Sequence, residues 1–337
     1  MLQNNVIATE EIKRASSFFV MPTVYIGIGG YAKAVFPTLD RLFHEHYGFR
    51  PGPLQLSIFD FDEATSESSA NGKRYSIESY LVPLPKKTLK DVARKLRRKA
   101  DLPWIKNFKP YVALEHVRYA EAPGLNLFPQ SGNLAWRLLW ESHVLPEIKI
   151  KLKGLHPVPN EVNELERQGF KVSRRSCIWV VAGGGSTTGP TGLIPIVAEL
   201  KRSKPPETNL FVIVFTPNSY RDKTDAHLTR GRAIFMATME SLLELFKGRV
   251  FDQPYNPSGN YRITLEEDPC DQLFLADGSL SGGRTELKTE ELGELVANFL
   301  FKFATGPVGE HLLGIIGNLN SGLKGNVKSF MEKQEDL

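Results

Sequence analysis

The sequence predicts an α/β fold: a doubly wound, mainly parallel sheet with helices on both faces. Three observations carry this. About six short runs rich in Val, Ile, Leu and Phe read as strands, most of them apolar in the manner of strands covered on both faces. Stretches with apolar residues at helical spacing separate most of these runs. Two runs pass directly into glycine and then into a helical stretch, the order of a βαβ unit. The 337 residues, 41% hydrophobic and 24% charged, suffice for one large globular domain. No apolar run reaches the roughly 20 residues a membrane span needs. The opening "MLQNNVIATEEIKR" has no apolar signal core, so a cytoplasmic location is expected.

In chain order, "TVYIGIG" (23–29) reads as the first strand, and the helical stretch after it places Val35, Leu39, Leu42 and Phe43 on one stripe, with Gly48 as its stop. A second strand (54–59) ends at two acids, Asp60 and Asp62. Residues 63–110 break the regularity and read as an insertion. "YVALEHV" (111–117) is expected as a strand, followed by a glycine-bearing loop and a helix over "LAWRLLWESHVLPEIKIKL". "PVPNEVNELERQGFKVSRR" reads as a polar excursion. The alternation then resumes: strand 177–182, helix 191–202, strand 209–215 and a long helix from about 225 to 247. An irregular stretch (252–268), strand "DQLFLAD" and helix "TEELGELVANFLFKFA" complete it. The glycines of "GIIGNLNSGLKGNVKSFMEKQEDL" make a long helix unfavourable there.

Function concentrates in the glycine loops "GIGGYAKA" (27–34) and "GGGSTTGPTG" (183–192). A glycine loop opening a helix presents unpaired N–H groups and the positive end of the helix dipole, which suits phosphate. Neither loop fits GxxxxGK[ST], so a P-loop is excluded. The first is close to the dinucleotide fingerprint but spaced GxGGxxxA. The second is more specific, because three consecutive glycines let backbone approach a polyphosphate and Ser186, Thr187 and Thr188 add hydroxyls.

Other features are weaker. Residues 86–109 carry ten basic and two acidic residues, a local +8 on a chain of net +4, so the other residues sum to −4. As a helix, Leu89, Val92, Ala93, Leu96 and Ala100 would dock while the cations face water. That is either a solvated face or a surface for an acidic or polyanionic partner. His44 and His46 point apart on a helix, and no metal site is expected. Cys177 and Cys270 lie in or beside apolar runs and read as buried free thiols. Asp222 and Asp225, beside Arg221 and Lys223, read as helix-start or ribose-side contacts.

On these residues the sequence resembles the tubulin/FtsZ superfamily, in particular its divergent prokaryotic members. "GGGSTTG" after a buried strand looks like the family's signature loop, usually GGGTGSG or GGGTGTG. "IGIGGYAKAVFPTLDRL" resembles the opening strand and phosphate loop, and "IFDFDEAT" the second strand with its acidic end. "GLNLFPQSGNLAW" resembles the loop over the terminal phosphate, "VFTPNSYRDKTDAHLTRGRAIFMATMESLLEL" the ribose-side loop with its long helix, and "DPCDQLFLADGSLSGG" the sixth strand. The resemblance covers nearly all of residues 20–315.

It implies a GTP- or GDP-binding domain over 21–306 with a basic insertion at 63–110. Residues 1–20 would be an extension, and 307–337 the start of a central helix or a tail. Gly27, Gly29, Gly30 and Tyr31 would hold phosphate, with Gly183, Gly184, Gly185, Ser186, Thr187, Thr188 and Gly189. Gly132 and Asn133 would lie near the terminal phosphate, Asp60 and Asp62 near the nucleotide or its Mg²⁺, and Asn218 and Asp277 on the sugar or base side. Self-association or a protein partner is implied too, while catalytic residues remain unassigned. Family hydrolysis uses an acidic loop from a second domain of a neighbouring subunit, and no such loop is visible, so weak or absent hydrolysis by the isolated chain is expected.

Three departures stand out: Thr187 where glycine is usual, Tyr31 where Thr or Gln is usual, and Asn133 in place of Arg. Thr187 adds a Cβ where backbone hugs phosphate and is expected to cost affinity unless its φ/ψ suits. Two other readings stay open: a tubulin-like scaffold that has lost its nucleotide, and a Rossmann oxidoreductase binding NAD(P) with Asp60 on ribose.

Overall fold

The structure is a computed structural model that describes residues 18–62, 67–70, 73–76, 78, 81–84, 91–95, 98, 102–113, 129–219, 225–278 and 287–322. Its elements in order are β1 (Phe18–Val20), β2 (Thr23–Ile28), α1 (Gly30–Tyr47), β3 (Leu54–Asp60), β4 (Glu67–Ala70), β5 (Lys73–Ser76), β6 (Leu81–Pro83) and α2 (Pro129–Leu139). There follow α3 (Leu145–Leu152), α4 (Pro159–Arg167), β7 (Phe170–Val172), β8 (Cys177–Gly183), α5 (Thr188–Ser203), β9 (Asn209–Phe215) and α6 (Asp225–Phe246). Last come β10 (Phe251–Pro254), β11 (Arg262–Leu265), β12 (Gln272–Ala276), α7 (Thr289–Thr305) and α8 (Pro307–Gly322).

Six strands form one sheet in the order β12-β9-β8-β2-β3-β6, and every pairing in it is parallel. The unalternated strand runs follow from this: successive residues face opposite layers, and both layers are covered. Val24, Ile26, Ile28, Ile178 and Val180 join a core with Trp136, Trp140 and Leu193 from α2, α5 and the turn after α2. Tyr25, Trp179, Val181 and Phe211 point the other way, into a core with Phe36 and Phe43 of α1 and Leu300 and Phe303 of α7. The fold is doubly wound, as the sequence predicts. Both cysteines are buried free thiols.

Several elements differ from expectation, each for a local reason. Among the described residues the sheet is completed by β6; of the expected strand 111–117, residues 111 and 112 lie in a turn closed by Tyr111 N–H to Phe108 C=O at 2.9 Å, and 114–117 lie outside the described residues. β6 has three residues and ends on Pro83, which an edge strand tolerates. The single helix expected over 134–152 is two, joined by a widened turn at Trp140–Val144. Pro146 in the first turn of α3 has no N–H to give back to that turn. The polar excursion is ordered: α4 starts on Pro159, stops at Gly169 with φ +88°, and leads into β7, which pairs with β1. Phe18–Val20, at the end of the expected extension, is therefore part of the fold. Residues 252–268 contain the hairpin β10–β11.

Pro307–Gly322 is helical despite its glycines. Gly309 explains one of them, since a Cβ there would fall onto the Phe303 carbonyl. Gly293 of α7 likewise meets α1, where a Cβ would lie 2.9 Å from the Ala34 carbonyl. Among the described residues no helix is long and apolar enough to cross a membrane.

Candidate functional site

The two glycine loops leave the C-terminal ends of neighbouring strands, β2 and β8, which is where a doubly wound sheet opens a ligand crevice. Gly29 turns the chain from β2 into α1 at φ +78°, and its N–H is spent on the Phe59 carbonyl at 2.9 Å. The loops touch: a Cβ on Gly29 would lie 3.2 Å from Thr188 Cβ. In the second loop, Gly184 N–H donates to Phe215 C=O at 2.8 Å and Gly189 N–H to Ser186 Oγ at 3.4 Å. A Cβ on Gly189 would fall on the Gly183 carbonyl, so glycine is what lets α5 start against β8. Among the described residues nothing accepts from the N–H groups of Gly30, Gly185, Ser186, Thr187 or Thr188. Five backbone donors on two adjoining helix starts make a cradle for an anion.

Thr187 is not strained. Its φ −91° and ψ −45° lie in the ordinary helical region, so the expected steric cost of departing from glycine is absent. Its carbonyl accepts Thr191 Oγ1 at 2.6 Å, and Trp136 Nε1 donates to that same hydroxyl at 3.1 Å. Gly132 fits against both threonines: a Cβ there would lie 2.5 Å from Thr191 Oγ1 and 3.0 Å from Thr187 Cγ2. The start of α2 is thereby fixed against the second loop. Thr187 Oγ1 and Ser131 Oγ are buried with no hydrogen-bond partner among the described residues. Such orphans are uncommon and fit a site built to receive an acceptor. Asn133, next in α2, gives its carbonyl to Arg137 Nη1 at 3.0 Å.

The flanks of the crevice are chemically unlike. Beyond β9 and β12, Asn218 Nδ2 donates to Asp277 Oδ2 at 3.3 Å, bringing together the two residues expected on the sugar or base side. Beyond β3, Lys33 Nζ lies 2.9 Å from Asp60 Oδ2 and donates to the Asp62 carbonyl at 2.5 Å, while Asp62 N–H donates to Asp60 Oδ1 at 3.2 Å. Burial raises the Asp60 carboxyl above the usual carboxylate range, and Lys33 opposes that. Both Asp60 oxygens are engaged within the protein. The Asp62 side chain is exposed.

Two of the residues expected to hold phosphate also pack into the core. The Tyr31 ring is buried, stacked on Phe215 with centroids 4.6 Å apart. Gly27 lies inside β2, where a Cβ would press on Ala32 and come within 3.0 Å of Ile58, so its smallness lets α1 approach the sheet.

Sequence reasoning missed Lys33. The available signal was a lysine one helical turn after Gly29 and Gly30, followed by an acid at the end of the next strand. It also missed Arg137, whose guanidinium is buried over the rings of Phe108, Tyr111 and Tyr255 at 6.0, 5.5 and 4.5 Å, with Gln253 accepting from it. This is a packing device of the crevice-side core. Among the described residues no cluster of His, Cys, Asp and Glu could hold a metal ion. His44 approaches Asp40 at 3.9 Å. Of the basic segment, 91–95 is helical with Val92 and Ala93 buried and Arg94 exposed; most of the remainder, and Arg221, Asp222 and Lys223, lie outside the described residues.

No family model and no curated protein matches the chain. Solved structures do. CetZ2 from Haloferax volcanii, as a GTPγS-bound protofilament, is 14% identical with a TM-score of 0.42 over 83% of this chain and 57% of its own. The GTPγS-form protofilament of TubZ from Bacillus thuringiensis serovar israelensis is 13% identical with a TM-score of 0.36, over 88% of this chain and 59% of its own. A TubZ of type III plasmid segregation is 10% identical with a TM-score of 0.37, over 86% and 57%. The chain thus spans less than two thirds of the length of these structures. By its own strand order, and by glycine loops on the adjacent strands β2 and β8 that each open a helix, the chain has a doubly wound, parallel α/β fold with both loops at the C-terminal edge of its sheet.

Proposed function

We propose that the protein binds a guanine nucleotide, GTP or GDP, across the C-terminal edge of its sheet, and that it works by self-association rather than as a freestanding hydrolase. The observation carrying this reading is the set of five undonated N–H groups on two touching glycine loops. It fits a polyphosphate, and the orphaned Thr187 hydroxyl beside it adds a donor. The Asn218–Asp277 pair suits the hydroxyls of a sugar, and the choice of guanine follows the family resemblance. Mg²⁺ would arrive on the phosphates, with Asp62 the exposed carboxylate at the β3 end. An NAD(P) site would leave the second loop without a task and would need Asp60, which is bound to Lys33. The unstrained Thr187 removes one reason to read the chain as a nucleotide-free scaffold.

Equilibrium dialysis against GTP, GDP and NAD tests this. Binding of both guanine nucleotides and not of NAD is expected. No binding of GTP or GDP at about 1 mM, an affinity worth only ~4 kcal/mol, overturns it.

A further inference from the structure

The crevice has a chemical direction. At one end, past β9 and β12, stands the carboxylate of Asp277 with the Asn218 amide; in the middle stand the undonated N–H groups. At the other end, past β3, stands the Lys33 ammonium. A carboxylate accepts from sugar hydroxyls and repels phosphate, whereas an ammonium attracts phosphate. A nucleotide therefore lies with its sugar toward Asp277 and its last phosphate toward Lys33.

Lys33 is well placed for such a role. It follows Gly29 and Gly30 by one turn of α1, so it shares their helix face. Its stem is fixed by burial, the pair's side chains being 8% and 5% exposed. A cation held this way loses little freedom when it meets a further anion, and in low dielectric the contact is strong. Its partners, the Asp60 carboxylate and the Asp62 carbonyl, leave the ammonium in place when no phosphate reaches it.

We propose that Lys33 reads the terminal phosphate of the bound nucleotide, so that the protein holds a nucleoside triphosphate more tightly than the diphosphate. This rests on the nucleotide reading above. A diphosphate fills the N–H cradle and stops short of the ammonium; a triphosphate spans both. Lys33 is thus a specificity-determining residue, and the Lys33–Asp60 pair is its resting state.

The test is calorimetric titration of the full chain with GDP and with a slowly hydrolysed GTP analogue. Lys33→Met alone would strand a buried carboxylate and threatens folding, so the informative variant is the double change Lys33→Met with Asp60→Asn. Wild type is expected to prefer the triphosphate by roughly tenfold or more, as one charge-assisted hydrogen bond allows. In the folded double variant that preference should fall to near one, with GDP affinity changing much less than triphosphate affinity. An unchanged preference, or equal loss of both nucleotides, overturns the role of Lys33 while leaving nucleotide binding intact. Failure of wild type to bind either nucleotide overturns the nucleotide reading itself, and the Lys33 proposal with it.

Discussion

Gly184 and Gly30 respond oppositely to an added side chain, although both lie in glycine loops. A Cβ on Gly184 would press on the Phe235 ring and come within 2.9 Å of Val214 Cγ1, whereas Gly30 is exposed with nothing within 4 Å. Gly184→Asp should therefore damage the fold before it says anything about ligand. Gly30→Asp places a carboxylate among the cradle N–H groups and also suits a helix start. It should keep wild-type circular dichroism and melting while weakening GTP by at least roughly a hundredfold, as like charges in a small site dictate. Unchanged GTP affinity would show that the first loop is not a phosphate site. Thr187→Val tests the orphaned hydroxyl. Removing a buried, unpaired donor of the same shape should raise stability of the unliganded protein by about 1 kcal/mol. The same change should weaken GTP roughly tenfold, one hydrogen bond's worth. A melting temperature that falls, or a GTP affinity that holds, would show that Thr187 Oγ1 is satisfied internally.

Among the elements, those with a strong repeating signal were legible and those defined by pairing were not. The strands 209–215 and 23–28 could be read almost to the residue, because unbroken apolar runs between Gly, Pro and Asn have few alternatives. β6 could not, since three residues of "LVP" carry no period and owe their strand geometry to pairing with Ile58–Asp60. α4 has start and stop signals in Pro159 and Gly169 but buries Leu165 almost alone, so its apolar stripe was too thin to see. In the site, the backbone donors were legible from the glycines and their position after strands, and Asn218 and Asp277 only through the family resemblance. The Lys33–Asp60 pair joins α1 to β3 across 27 positions, and no local pattern announces that. The basic insertion belongs to this scale too. Val92 and Ala93 lie in the crevice-side core while Arg94 and Arg98 face solvent, as a docked helix with an outward cationic face requires. Changing Arg94, Arg97, Arg98 and Lys99 to Gln should leave GTP affinity within about twofold. Any binding of a polyanion such as heparin should weaken and lose its steep salt dependence. Loss of GTP binding would place this segment at the crevice.

For the whole molecule, the arrangement of acids bears on turnover. Phosphoryl transfer needs a water held in line with the terminal phosphate by a fixed group. Among the described residues, Asp60 is committed to Lys33, Asp62 is exposed, and Asp277 stands at the opposite end of the crevice. The unassociated chain, at low concentration, should therefore release phosphate from GTP slowly in the presence of Mg²⁺, and fast release there would show that one copy holds the water by itself. A rate that climbs steeply above a critical concentration, with filaments in the pellet, would show that a second copy completes the site. The sheet order bears on time. β2 pairs with β3 close by, but its other edge waits for β8, Thr23 meeting Cys177. On a ribosome adding about 5–20 residues each second, the first strand of the sheet stands half-paired for roughly six to twenty-five seconds. Until then Tyr25 lacks Trp179 and Val24 lacks Ile178. A nascent chain stalled at residue 176 should accordingly exchange freely the β2 amides that face the missing β8, and bind a holdase chaperone. One stalled well beyond residue 276, with β9 and β12 emerged, should do neither, and protection of β2 in the shorter chain would show that the N-terminal βαβ unit folds by itself.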